Sequence, residues 1–291
     1  MGVTQSLETA ALTLLALIAF ASNSILTRMA LGGHLIDAFS FTTVRLAAGA
    51  AMLVVLVGLR TRAFVPLRGR GKRGLTGPLA LFAYAAPFTL AYVRIGAASG
   101  ALILFGSVQL TMIGWGIAHG ERPSPRMWIG LVLAIAGLAW LMLPSVSRPD
   151  VLGTILMVVA GMAWGAYSIA GRGAGDLIAA NARSFLLATP LALALSLVAE
   201  VAATRKASAS GVTLAVVSGA VTSGLGYAIW YRALRGLTVL QAAIVQLAVP
   251  IIAAAGAVTF LHERPTARLA QASALVLGGL ALAVTAPRRR A

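Results

Sequence analysis

Ten long apolar runs, separated by short turns that carry nearly all the charge, leave this 291-residue chain few ways to fold. The runs fall at 8–27, 36–59, 76–94, 97–118, 126–144, 151–170, 180–200, 211–231, 238–261 and 268–286. A helix that crosses the hydrocarbon of a bilayer needs about 20 apolar residues. Strands of a membrane barrel would instead alternate in polarity over about ten residues, and these runs are apolar on every face. The expected fold is an all-α integral membrane protein of ten transmembrane helices. Composition closes the soluble alternative. Hydrophobic residues make up 59% of the chain and charged residues 10%, against about 25% charged in ordinary soluble domains, so no polar coat exists to cover the apolar surface. Glu8 precedes the first run and no basic leader stands before it, so that run is expected to be a retained span.

The charge that remains is lopsided: 23 Lys and Arg against 7 Asp and Glu, a net +16. In a soluble chain that balance would raise nucleic acid as a partner. Here the charges sit between spans, so no nucleic-acid partner is expected and membrane lipid is. Ten spans place both termini on one side. Fourteen basic residues fall on that side, six of them between 60 and 73, and seven on the other. The positive-inside rule makes the richer side, and both termini, cytoplasmic in the cell's inner membrane. Cysteine is absent, which excludes disulfides and thiolate-bound metal.

The two halves of the chain echo each other. Glu121-Arg122-Pro123-Ser124 matches Glu263-Arg264-Pro265-Thr266 at an offset of 142, which also aligns Gly137-Leu138-Ala139 with Gly279-Leu280-Ala281. Tyr92 meets Tyr231 at 139, and at 144 Phe20 meets Trp164 while Ser24 and Arg28 meet Ser168 and Arg172. The expected units are 1–146 and 147–291, each with five spans. An odd number of spans inverts the second unit, and inverted repeats of this kind accompany transport, with substrate bound near the midplane between the halves.

With these features the sequence resembles the EamA-type members of the drug/metabolite transporter superfamily. The resemblance rests on the paired five-helix halves, the Glu-Arg-Pro turn before the last helix of each, Arg45 in the second span, Tyr231-Arg232-Ala233-Leu234 closing the eighth, and Pro250 thirteen residues before Glu263. One departure is Val108, which occupies the place in the first half that Pro250 holds in the second. The resemblance implies ten helices around a central cavity that takes amino acids, other metabolites or drugs, in many members for export. The aromatic-amino-acid exporters invite comparison, and no motif fixes that substrate.

Inside the spans, polar and aromatic residues are the candidates for function. Arg45 is the one basic residue well within a run. It either faces the interior, to attract a substrate carboxylate or pair with an acid, or snorkels to an interface. Asn23 at lipid depth needs a partner from another helix, water or substrate. Tyr84, Trp164, Tyr167 and Tyr227 lie deep enough to line a cavity and hold an apolar or cationic body by stacking, whereas Tyr92, Trp230 and Tyr231 fit the aromatic belt at the membrane surface. Gln109, Gln241 and Gln246 are expected to point inward, because an amide facing lipid is costly. Glycines crowd the fourth span, where small faces let helices approach. Glu121 and Glu263 precede Arg-Pro, a pattern suited to the first turn of a helix, where an acid complements the dipole. With Pro250 they are also the candidate gate or hinge positions.

The seven acids all fall at span ends or in turns. Ion-driven carriers usually keep a carboxylate or histidine relay inside the membrane, so facilitative or exchange transport is expected. No span offers a histidine to activate a serine, no cluster of His and acid to hold a metal, and no phosphate-cradling loop, so neither an enzyme nor a cofactor is expected. A structural or signalling membrane protein and a lipid-linked-sugar transferase are the alternatives. The expectation is a carrier of small organic metabolites, most simply an exporter of amino acids or related amphipathic solutes by alternating access.

Overall fold

The computed structural model describes residues 3–62, 65, 74–95, 97–143, 150–172, 175–200, 207–260 and 266–285. Its helices are α1 (Val3–Gly32), α2 (Ala38–Thr61), α3 (Thr76–Tyr92), α4 (Ala97–Ala118), α5 (Pro125–Met142), α6 (Val151–Arg172) and α7 (Leu177–Glu200), followed by α8 (Ala209–Val217), α9 (Gly226–Leu234), α10 (Val239–Val245), α11 (Val249–Phe260) and α12 (Ala267–Val284). A π-helical stretch, Ser218–Leu225, joins α8 to α9 into one eighth span, and a 3-10 turn, Gln246–Ala248, joins α10 to α11 into the ninth. The tenth is α12. Among the described residues nine helices are long and apolar enough to cross a membrane; α3, with 17 residues, is the shortest of the ten spans. The protein is therefore all-α and multi-pass. The first helix is longer than its apolar run, reaching Val3 and Gly32 rather than stopping at 8 and 27.

Helix starts are closed by side chains, as they must be where the first N–H groups lack helical partners. Asp37 Oδ1 accepts from the Phe39 and Ser40 N–H groups at the head of α2. Ser124 caps α5, Ser208 caps α8 and Thr266 caps α12. Thr238 and Gln241 form a reciprocal capping box on α10. The Glu-Arg-Pro turn behaves differently from expectation. The fifth helix starts at Pro125, not Pro123, and Glu121 serves another helix, as described below.

Lipid supplies no hydrophobic force between helices, so close packing of small residues carries much of the association. The strongest pairings are α5 with α12, α3 with α6, α2 with α7, α4 with α6, and the eighth span with both α1 and α2. At the α5–α12 crossing, a Cβ on Gly130 would collide with the Gly279 carbonyl oxygen and one on Gly279 with the Gly130 carbonyl oxygen, while Gly137 packs on Ala272 and Leu275. Both pairs sum to 409 (130 + 279 and 137 + 272), the signature of two antiparallel helices in one register. The fourth-span glycines contribute less than expected. Gly106 and Gly114 face open space, and the close approach to α6 comes from Gly161 and Gly165 on the α6 side.

Most buried hydroxyls are satisfied within their own helix. Thr27, Thr42, Thr89 and Ser107 each donate to the carbonyl four residues back. Two spans break their regular backbone. In the eighth, the wide π turn carries Ser218, Thr222 and Ser223, all buried. In the ninth, Pro250 lacks the N–H that would bond residue 246, and the chain tightens into the 3-10 turn just before it. Irregular backbone at membrane depth is tolerated where protein or a cavity receives it; Gln246 of the second break lines the cavity described next, and Ser218 and Thr222 of the first bond its Asn23.

Candidate functional site: an aromatic cavity between six helices

Three spans of the first half, α1, α3 and α4, meet three of the second, α6, α9 and the ninth, around one cavity of about 410 Å³, counting its mouth. Its wall is aromatic. Phe20 stands edge-on to Trp164 at 5.1 Å and to Tyr227 at 5.7 Å. Trp164 is also 5.0 Å from Tyr84 and 4.8 Å from Tyr227, and Tyr84 is 5.3 Å from Phe88. The Phe20–Trp164, Phe20–Tyr227 and Trp164–Tyr227 pairs meet edge to face and the two Tyr84 pairs are tilted, arrangements that hold each ring against its neighbours.

Polar groups punctuate this wall. Asn23 lies 3% exposed, and its Oδ1 accepts from Ser218 Oγ at 2.6 Å and Thr222 Oγ1 at 3.3 Å, the helix partners that an amide at this depth requires. Gln246, on the 3-10 turn, accepts from the Trp164 indole N–H through Oε1 and donates to the Ala242 carbonyl. Gln109 donates to the Ala243 carbonyl at 2.7 Å. All three glutamines point inward, as expected.

Arg45 does not snorkel. It is 1% exposed, with Nε donating to Ser223 Oγ at 3.0 Å and Nη2 to the Tyr227 hydroxyl at 2.7 Å. Gly219 makes the approach possible, since any Cβ there would strike the Arg45 carbonyl. No carboxylate pairs with Arg45 among the described residues. The Tyr84 and Phe88 rings lie 5.7 Å and 5.9 Å from its guanidinium carbon.

Of the six substrate-binding candidates, Asn23, Tyr84, Trp164 and Tyr227 line the cavity. Arg45 stands directly behind Tyr84, Phe88 and Tyr227. Tyr167 lies outside the lining; its hydroxyl donates to Asn181 Oδ1 at 2.6 Å. Trp230 and Tyr231 correct the expectation of an interface belt. Both are buried, Trp230 donating to Ser168 and Tyr231 to the Tyr167 carbonyl. The Tyr231 ring lies 5.1 Å from that of Tyr167, and Trp230 stands edge-on to Phe20 at 5.6 Å. The exposed tryptophans are Trp115, Trp128 and Trp140. Phe20, Phe88 and Phe105 line the cavity and were not among the candidates. For two of them a signal existed. Phe20 is the repeat partner of Trp164, and Phe88 stands to Tyr227 at 139 (227 − 88), the offset of Tyr92 and Tyr231.

The face carrying the start of α1 is tied across the halves. Glu121 accepts from the Val239 N–H at 2.7 Å and the Leu240 N–H at 3.0 Å, so a carboxylate from the α4–α5 turn closes the head of the ninth span. Glu8 meets Arg232 at 2.6 Å and Arg60 meets Asp176 at 3.5 Å. On the opposite face Arg94 meets Asp150 at 3.7 Å, and the Ser208 N–H bonds the Leu35 carbonyl. Pro250 sits at the break of the ninth span, one residue past Val249 of the cavity wall. Glu263 lies outside the described residues.

A multi-pass bundle with an aromatic, polar-edged cavity among its helices belongs to the class of membrane proteins that can hold a small molecule. Comparison with known proteins narrows this to a family. The EamA-like transporter family matches residues 151–285. An uncharacterized protein of Pseudomonas aeruginosa is 48% identical over 97% of this chain and 96% of its own length. A protein of Archaeoglobus fulgidus described as an uncharacterized transporter is 25% identical over 72% of this chain and 73% of its own. A solved crystal structure superposes with a TM-score of 0.78 at 21% identity, covering 94% of this chain and 98% of the other, which speaks to the fold alone. Residues 151–285 of the chain are an EamA-like transporter domain. Its general role is the transport of small molecules across a membrane.

Proposed function

We propose that the protein carries small amphipathic organic solutes, amino acids or close relatives, across the inner membrane by alternating access between two inverted five-helix halves, 1–146 and 147–291. The observation that carries this reading is the composition of the cavity wall. Spans one, three and four face spans six, eight and nine, and each member of the first set has its repeat counterpart in the second. The helix pairings obey the same exchange. The second span packs on the seventh, the fifth on the tenth, and the third-with-sixth contact is matched by the eighth with the first. The Gly130–Gly279 and Gly137–Ala272 contacts interchange under the offset of 142. These features support a two-fold relation in the membrane plane, the geometry in which rocking of one half against the other exposes a fixed site to each side in turn.

In this reading the conformation is closed on the face of the α1 start, by Glu121 on the ninth span and by the buried side chains of Tyr167, Trp230 and Tyr231. Glu121 is a gate, Pro250 a hinge, and Glu263 the corresponding gate of the other face. The excess of basic residues on the α1 side supports cytoplasmic termini, and the direction of use is export. The lack of a carboxylate among the cavity-lining residues supports facilitative transport without proton coupling. The test is uptake of labelled amino acids into proteoliposomes with and without a pH gradient. Saturable uptake indifferent to the gradient is expected. Uptake that requires the gradient would remove the facilitative reading, and no saturable uptake across the panel would remove the transport of amino-acid-like solutes.

A further inference from the structure

Arg45 puts a full positive charge behind the cavity wall, and no carboxylate pairs with it among the described residues. Both of its hydrogen-bond partners, Ser223 and Tyr227, are neutral, and its Nη1 has no partner although buried. A guanidinium cannot shed its proton at physiological pH. An unpaired charge at lipid depth is strongly unfavourable and persists where it serves a pathway or ligand. The seven acids fall at span ends or in turns, which leaves a bound solute to supply the counter-charge. The three side chains nearest the guanidinium on the cavity side, Tyr84, Phe88 and Tyr227, all line the cavity.

Tyr227 is the link. Its oxygen accepts the Arg45 Nη2–H, and its hydroxyl can turn its proton toward a group in the cavity. A hydroxyl polarised from behind by a cation is a stronger donor to an anion, and in a dry site that gain is large. The local backbone is built for this arrangement. The π turn brings Ser223 onto Arg45 Nε, and Gly219 lets the eighth span lie against the Arg45 backbone. Wide turns of this kind recur at functional sites.

We propose that the solute carries a compact anionic group, a carboxylate, on an aromatic or apolar body, that the Tyr227 hydroxyl receives this group, and that Arg45 is a positioning residue supplying positive charge through Tyr227. The inference rests on the transport reading and adds to it the charge of the substrate. The aromatic rings take the body of the solute by stacking. Organic cations that the rings alone would welcome are repelled by Arg45, which makes the selectivity one of charge as well as shape.

Three labelled probes that share a phenyl ring test this: phenylacetate, phenylalanine and phenethylamine, an anion, a zwitterion and a cation. Saturable flux is measured in proteoliposomes of wild type, Arg45→Met, Arg45→Lys and Tyr227→Phe, each checked for a monodisperse folded state in detergent. Wild type is expected to favour phenylacetate and phenylalanine over phenethylamine by about tenfold or more, the scale of one hydrogen bond to a charged group. Arg45→Met is expected to bring the ratio near one and Arg45→Lys to restore most of it. Tyr227→Phe is expected to lower flux of the two carboxylates about tenfold more than that of phenethylamine. A structural role for Arg45 would lower all three fluxes together and leave the ratio unmoved. Should Arg45→Met fail to fold, the wild-type ratio and Tyr227→Phe still decide. Equal or preferred transport of phenethylamine by wild type would overturn the charge assignment and leave the carrier standing. Absence of saturable flux for all three would overturn both.

Discussion

The Glu121 carboxylate, from the turn after the fourth span, accepts the backbone N–H of Val239 at 2.7 Å, 118 residues away in sequence. With its second oxygen on the Leu240 N–H, it replaces the missing helical partners at the head of the ninth span. Glu121→Gln keeps the shape and loses one acceptor. It is expected to weaken this closure by about 1–3 kcal/mol and to raise access to the cavity from the α1 face. The chain has no cysteine, so a single Val108→Cys in the cavity wall reports that access directly by labelling from one side. Faster labelling from the α1 face in Glu121→Gln is the expected result; an unchanged rate would make Glu121 a cap and not a gate. The exposed Glu8–Arg232 pair gives the contrast. Being in water, it is expected to contribute under about 1 kcal/mol, so Arg232→Gln should leave both labelling and the thermal midpoint nearly unchanged.

The α5–α12 crossing has no room for a side chain at Gly130. Gly130→Val is expected to lower stability by about 1–3 kcal/mol, the usual range for overpacking, seen as a reduced thermal midpoint in detergent. Gly106→Ala faces open space and removes backbone freedom from a helix interior, so its midpoint is expected to hold or rise, by at most about 1 kcal/mol.

Pro250 is expected to trade stability for motion. A proline inside a helix costs about 3 kcal/mol, so Pro250→Ala should raise the thermal midpoint by restoring the backbone hydrogen bond near Gln246. The straightened ninth span should also lower transport turnover, because the hinge is gone and the Gln246–Trp164 contact shifts. A stabilised variant with undiminished turnover would remove the hinge role.

Tyr167 and Asn181 form a buried pair beneath the cavity. Tyr167→Phe leaves Asn181 without its hydroxyl donor at Oδ1 and is expected to lower stability by about 1–3 kcal/mol. Asn181→Leu introduced together with it should recover most of that loss, since removing both partners leaves nothing unsatisfied. A double-mutant cycle on thermal stability measures the coupling.

The ten spans were legible because apolar length is a property of the sequence itself, written before any packing occurs. Asn23, Tyr84, Trp164 and Tyr227 were legible for a related reason: polar or amphipathic groups at lipid depth demand an interior place. Phe20, Phe88 and Phe105 were not singled out, because a phenylalanine facing lipid and one facing a cavity satisfy the same local chemistry. Trp230 and Tyr231 were misplaced at the membrane surface because the eighth span runs on to Leu234, past the expected end at 231, and its π turn reorients them inward. The Glu121 contact with Val239 joins distant turns, and nothing in the local Glu-Arg-Pro pattern names its partner. The break at Gln246–Ala248 was foreshadowed by Pro250, whereas the π turn had no comparable mark beyond its run of small residues, Ser218 to Gly224.

Solute flux through a plugged cavity tests the central claim most directly. Purified Val108→Cys protein in proteoliposomes, loaded with labelled phenylalanine, is compared before and after reaction with a bulky thiol reagent. Because no native cysteine competes, the reagent acts at Val108→Cys alone. The account predicts saturable flux that is abolished by modification, with wild type unaffected by the same reagent. Flux that persists through a fully modified cavity would place the pathway elsewhere and contradict the account.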